Sequence, residues 1–175
     1  MLKIIAIVFV VAIVAVLGYA ATRPNTFRVA RSTVIKASPE KVYALIEDFH
    51  AWRSWSPYEA LDPAMSRTYG APAKGVGATY DWSGNGKAGA GRMEIVQARP
   101  PARIDIALDF TKPFAAHHKA SFVLVPEGDA TRVTWAMEGA SPFMFRLMSL
   151  VVDMDKMLGK DFETGLASLK AQAEQ

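Results

Sequence analysis

Residues 141–175 read SPFMFRLMSLVVDMDKMLGKDFETGLASLKAQAEQ. Leu147, Val151, Met154, Leu158, Phe162, Leu166 and Leu169 recur there at intervals of three and four residues. That spacing draws one apolar stripe along a helix. Arg146, Asp153, Lys156, Lys160, Glu163 and Lys170 fall mostly off the stripe. Ser141 followed by Pro142 has the form of an N-cap and first turn. The spacing predicts a single helix from about Pro142 to Ala173, about 48 Å long at the usual rise per residue. A helix of that length with one apolar face needs a broad apolar surface to lie on.

The segments upstream supply such a surface. Arg103–Thr111 alternates most cleanly, with Ile104, Ile106, Leu108 and Phe110 on one parity and Arg103, Asp105 and Asp109 on the other. This is the pattern of a half-buried strand. Strands are also predicted at Thr26–Lys36, Met65–Ala71, Ala78–Ser83, Gly89–Ala98, Ala116–Val125 and Thr131–Glu138. Gly84-Asn85-Gly86 marks a hairpin and Pro126–Asp129 a turn. Between the first two strands, Ser38-Pro39-Glu40 opens a helix whose apolar side is Val42, Leu45, Ile46 and Phe49. His50–Pro57 carries Trp52 and Trp55, three residues apart and so on one face of a short helix. Successive strands joined by turns imply an antiparallel meander.

Ile4–Ala21 holds 18 uncharged residues, apolar apart from Gly18. That length just suffices to cross a bilayer core. The absence of a polar face argues against a buried core helix. A single-pass anchor is the favoured reading; a secretory signal, with Gly18 and Ala20 small enough for cleavage, is the competing one. Arg23, Arg28 and Arg31 outnumber Lys3 and the terminal amine, which favours a cytoplasmic domain, with the opposite side left open. The chain therefore divides into 1–24, the anchor, and 25–175, one folded domain.

The totals exclude several classes. Charged residues make up 21% and the net charge is +3, but the basic residues form no run. Nucleic-acid binding needs clustered charge, so it is not expected. Without cysteine the chain has no disulfide, thiolate nucleophile or cysteine-ligated zinc. The adjacent strand histidines His117 and His118 face opposite sides and do not converge on one ion, so neither metal nor cofactor is expected. Oligomeric state is not encoded in any recognisable pattern.

Four pieces carry a family resemblance. Ser38-Pro39-Glu40-Lys41-Val42-Tyr43 looks like an opening helix, and Trp52-Arg53-Ser54-Trp55-Ser56-Pro57 like a tryptophan-rich second one. Thr131–Trp135 looks like a last strand and Met154–Lys170 like a closing helix. Together they resemble the START-like helix-grip (SRPBCC) superfamily, in its polyketide cyclase/dehydrase-like branch. The resemblance implies an α+β fold. A curved antiparallel sheet of about six to seven strands grips the C-terminal helix, with two short helices after the first strand. A tunnel lies between helix and sheet. It leaves function open, because the superfamily holds lipid carriers, hormone receptors, chaperone activators and ring-closing enzymes.

The pocket expected from this reading is lined by Trp52, Trp55, Tyr80, Trp82, Phe110, Phe122 and Trp135. Met137, Met154, Met157, Leu158 and Phe162 close it from the last strand and helix, methionine suiting a pliable apolar ligand. His118 shares the parity of Phe122 and is the candidate polar group. Gly159 and Gly165 mark either close packing or a bend. The expected activity is binding of a hydrophobic or lipid-like small molecule. The alternatives are a cyclase/dehydrase-type enzyme using His118 or an inward acid such as Asp81 or Glu94, and a ligand-free interaction module with a pocket below about 300 Å³.

Overall fold

The computed structural model describes residues 1–175, the side chain of Leu2 excepted. Helix α1 spans Leu2–Thr22 and is followed by strand β1, Thr26–Ile35. Helix α2, Pro39–Glu47, is capped as its sequence predicts, the Ser38 hydroxyl accepting from the Lys41 amide at 3.3 Å. Two single 3₁₀ turns follow, Ala51–Ser54 and Pro57–Ala60. The first turn ends at Ser54, before Ser56-Pro57, and Pro57 opens the second. Strands β2 (Ser66–Tyr69), β3 (Thr79–Ser83), β4 (Ala90–Arg99), β5 (Arg103–Lys112), β6 (Ala116–Glu127) and β7 (Ala130–Ala140) form the meander. Helices α3, Phe143–Met148, and α4, Met154–Ala173, close the chain.

The seven strands make one antiparallel sheet in the order β1-β7-β6-β5-β4-β3-β2. The first strand, β1, pairs with the last, β7, so the sheet starts and ends its chain order on one side. One face of the sheet carries Val29, Ile95, Ile104, Ile106, Phe122 and Val133, all buried. The helix α4 lies on that face, with Phe162, Leu166, Leu169 and Ala173 buried beneath it. Its far end is tied to β1. The Lys170 ammonium donates to the Val34 carbonyl at 2.8 Å, and the Lys36 amide donates to Glu174 at 2.7 Å.

The tryptophans hold the second layer together. The last carbonyls of a helix lack intrahelical partners. The Trp52 indole N–H donates to the Ile46 carbonyl at 2.9 Å and the Trp55 N–H to the Leu45 carbonyl at 3.0 Å. Both rings lie on one side of their turn, 4.8 Å apart. They close the end of α2 and pack over Trp135 and Phe122.

The closing stretch is two helices, where its spacing predicts one. Ser141 does not cap it: the Ser141 amide donates to the Asn25 carbonyl, extending the β1–β7 pairing, and α3 starts without a side-chain cap. The break has local causes. The Ser149 hydroxyl donates back to the Arg146 carbonyl at 2.7 Å, a bond that competes with helix propagation. Val151 and Val152 are β-branched and weak helix formers. Asp153 is extended and accepts from the Lys156 amide at 3.0 Å, so it starts a new helix.

The two glycines inside α4 settle as close packing. A Cβ at Gly165 would stand 2.7 Å from the Trp135 ring and 2.8 Å from Pro57. A Cβ at Gly159 would collide with the Arg31 guanidinium. That guanidinium crosses the helix there, bonding Asp155 and Glu163 at 2.9 Å each.

Candidate functional site

Between the first half of α4 and the sheet lies a cavity of about 280 Å³. Its position follows from the shapes of the side chains around it. Phe162 stacks on Trp135 at 4.3 Å and an interplanar angle of 11°, and Trp135 stacks on Phe122 at 5.1 Å. This pile fills the space under the middle of α4. Toward the start of α4 nothing of that bulk reaches the sheet, and a gap remains.

Eight residues expected at the pocket line the cavity: Trp52, Tyr80, Trp82, Phe110, Trp135, Met137, Leu158 and Phe162. Five do not. Trp55 and Phe122 are fully packed behind Trp135 and face core. Met157 points to solvent, because it stands a quarter-turn from Leu158 on α4. Met154, at the first turn of α4, is partly exposed outside the lining. His118 has the inward parity expected of it, but its ring sits beyond the cavity wall, edge-on to Phe27 at 5.1 Å and to Phe110 at 5.9 Å. Its Nδ1 is buried without a partner among the described residues, and burial holds its pKa below the ordinary value. Gly139, opposite on β7, leaves room for the ring that a Cβ would fill.

The strand acids weighed for chemistry face outward. Asp81 meets Arg92 at 3.5 Å on the outer face, and Glu94 shares its parity. The acids in the cavity come from elsewhere. Glu59, in the second 3₁₀ turn, accepts from the Tyr80 hydroxyl at 2.6 Å and from Arg67 Nε at 2.7 Å. Arg67 also donates to the Met65 carbonyl at 2.7 Å. This cluster is internally satisfied and braces the wall; burial and the Glu59 carboxylate push the Tyr80 hydroxyl pKa well up. Asp161 is different. It lines the cavity beside Tyr58, has no hydrogen-bond or ion-pair partner among the described residues, and its pKa is raised by desolvation. Its position was readable, since Asp161 is three residues from Leu158 on the same helical face. Glu59 carries no such signal, because only the fold brings the 3₁₀ turn over Tyr80.

Leu61 and Lys87 are the exposed residues of the lining, so the cavity opens on their side. The Gly84–Gly89 loop there is tied down by its neighbours. The Asn85 amide donates to Asp62 at 2.8 Å, and the Asn85 side chain accepts from the Lys87 amide at 2.8 Å. A second concavity, of about 790 Å³, is wide open on the sheet's outer face among Arg28, Asp109, His117, Lys119 and Glu138. Two pairs of charged side chains cross its wall, His117 with Asp109 at 2.6 Å and Arg28 with Glu138 at 3.7 Å. Among the described residues no three His, Asp or Glu side chains group as ligands for one metal ion.

Several solved structures share the fold. A protein from Chromobacterium violaceum superposes with a TM-score of 0.60 at 18% identity, covering 87% of this chain and 99% of its own. Aha1 from Colwellia psychrerythraea gives 0.61 at 20% identity, with 85% and 96% covered. Major latex-like protein 151 from Panax ginseng gives 0.58 at 15%, with 87% and 100% covered. At these identities the likeness is one of fold. No curated protein sequence matches the chain. The family described as polyketide cyclase / dehydrase and lipid transport matches residues 26–174, β1 through α4, and the chain belongs to that family.

Proposed function

We propose that the protein is a membrane-anchored helix-grip domain, with residues 1–24 as anchor and 25–175 as domain, that holds a hydrophobic or lipid-like small molecule between α4 and the sheet. The observation that carries the reading is the cavity itself, walled by Trp82, Phe110, Trp135, Met137 and Leu158, with one free carboxyl, Asp161, set into it. Apolar burial would drive binding, at about 25 cal/mol per Å². The family's description includes lipid transport, which agrees with such a ligand. α1 is long and apolar enough to cross a bilayer, and of its described side chains only Ala20 is buried. The anchor reading is preferred over a cleaved signal because α3 packs against the end of α1, with Arg146 donating to the carbonyls of Ala21 and Arg23 at 3.1 and 3.2 Å.

The full chain, purified from its native membrane in mild detergent, is expected to carry a co-purifying small molecule in native mass spectrometry and to release a bound fluorescent lipid on competition. An empty domain that binds no fluorescent lipid overturns the reading. The volume lies just under the roughly 300 Å³ usual for ligand sites, which is the observation in favour of a ligand-free module. The cyclase/dehydrase alternative rests on Asp161, whose raised pKa suits proton transfer. Turnover of a hydrophobic polyketone that Asp161→Asn abolishes, with binding retained, would favour the enzyme.

A further inference from the structure

We propose that α3, the loop after it and the β5–β6 tip form a bilayer-docking face that sets the mouth of the cavity on the membrane α1 enters. The inference rests on the anchor reading above.

Ser141–Val152 holds one charge, Arg146, in twelve residues. Met144, Met148 and Val151 are 65%, 51% and 89% exposed. A domain wholly in water seldom leaves so much contiguous apolar surface uncovered. The position of this surface says what covers it. The two bonds from Arg146 to Ala21 and Arg23 fix α3 at the end of the apolar run of α1, the level at which α1 would leave a bilayer. The one charge of the segment is thereby bonded to backbone carbonyls. Tyr19 is exposed at the same level, with the Arg23 guanidinium 6.0 Å from its ring, a pair suited to the headgroup region.

Strand register brings the rest to this end. Thr26 pairs with Ala140, and Phe110 with Ala116, so the β5–β6 tip lies at the end of the sheet where α1 and α3 join it. That tip presents Phe114, 69% exposed. Ala90 pairs with Lys112, so the loop carrying Lys87 and Ala88 is at the same end. Leu158, one turn into α4, lines the same cavity. An apolar segment lying along the headgroup–acyl boundary therefore brings the opening of the cavity to the lipid, and a lipid-like ligand passes between them without crossing water.

The chain has no cysteine, so single-cysteine variants of the full protein label at one site each. Met144→Cys, Val151→Cys and Phe114→Cys probe the face. Val11→Cys probes the middle of α1, and Asp129→Cys the opposite end of the sheet. Each is labelled with an environment-sensitive nitrobenzoxadiazole dye and placed in nanodiscs of phosphatidylcholine and phosphatidylglycerol. The dye at 144 and 151 is expected to emit to the blue of that at 129 and to be quenched severalfold more by spin-labelled lipid than by aqueous iodide. Iodide quenching at 144 and 151 equal to that at 129, with Val11→Cys still quenched by lipid, overturns the docking face and leaves the anchor standing. Protection at 144 and 151 from both quenchers assigns the face to a second protein and also overturns it. A Val11→Cys dye open to iodide sinks the anchor and, with it, the docking on the membrane that α1 enters.

Discussion

The two halves of the closing stretch share one apolar spacing and meet opposite surroundings. From Phe162 to Ala173 the stripe is sealed: Phe162, Leu166, Leu169 and Ala173 are all buried against β1, β7 and α2. From Phe143 to Met157 the same kind of residue stands largely uncovered, and between the halves Leu158 and Phe162 roof a cavity. The difference shows that periodicity assigns a face and leaves open what the face touches. In the second half the sheet and α2 supply partners of matching depth. In the first half the chain has passed the end of β7 at Ala140, and α3 meets only the end of α1, which leaves Met144, Met148 and Val151 exposed.

The largest effect expected from breaking this contrast is at its sealed side. Phe162→Ala removes the ring stacked on Trp135 and should cost about 3–5 kcal/mol in denaturant unfolding of the full chain in detergent. Glu59→Ala leaves Arg67 buried without its carboxylate and Tyr80 without its acceptor; a loss of about 3 kcal/mol is expected by the same measurement. Its mouth-side neighbours should keep their place, so a lost ligand signal without lost stability would contradict the bracing role. Gly165→Ala sets a methyl against Trp135 and Pro57. The clash outweighs the gain of about 1 kcal/mol in helix propensity, for a net loss of about 1–2 kcal/mol.

Asp161→Asn acts in the other direction. Its carboxyl is harder to ionise in the folded chain than in the unfolded one, where the ordinary value is 3.8. The folded state then binds a proton more tightly, so this group favours folding below pH 3.8 and loses that contribution as pH rises through the raised value. The Asn variant should melt slightly higher than the parent at pH 7, and the gap should close at acidic pH. It should also weaken a ligand that donates a hydrogen bond into the cavity. The smallest effect is at the uncovered half: Val151→Ser should change stability by under about 0.5 kcal/mol in detergent, although Val151 sits on the same stripe as Leu166.

Much of the framework was legible in the residues. Ser38 and Pro39 announce α2, Arg103–Thr111 shows its buried parity, and Gly84–Gly86 falls in the loop between β3 and β4. Eight of the residues read as pocket wall line the cavity because inward strand parity and the stripe of α4 are both periodic signals. What escaped has no period. Phe122 shares the inward parity of the wall and Trp55 the side of Trp52, yet both lie one layer too deep, a matter of ring packing. Glu59 reaches Tyr80 through tertiary approach over 21 residues of chain.

Sequence alone determined the apolar run at Ile4–Ala21, the alternation of the strands and the amphipathic second half of α4, since each follows from local periodicity and hydrophobic burial. Tertiary structure decided the rest. The break at 149–153 depends on Ser149 and Asp153 each claiming a backbone group. The cavity exists where the stack of Phe162, Trp135 and Phe122 stops short of the end of the sheet. Asp161 becomes its unpaired group only because no cation from another element packs against it.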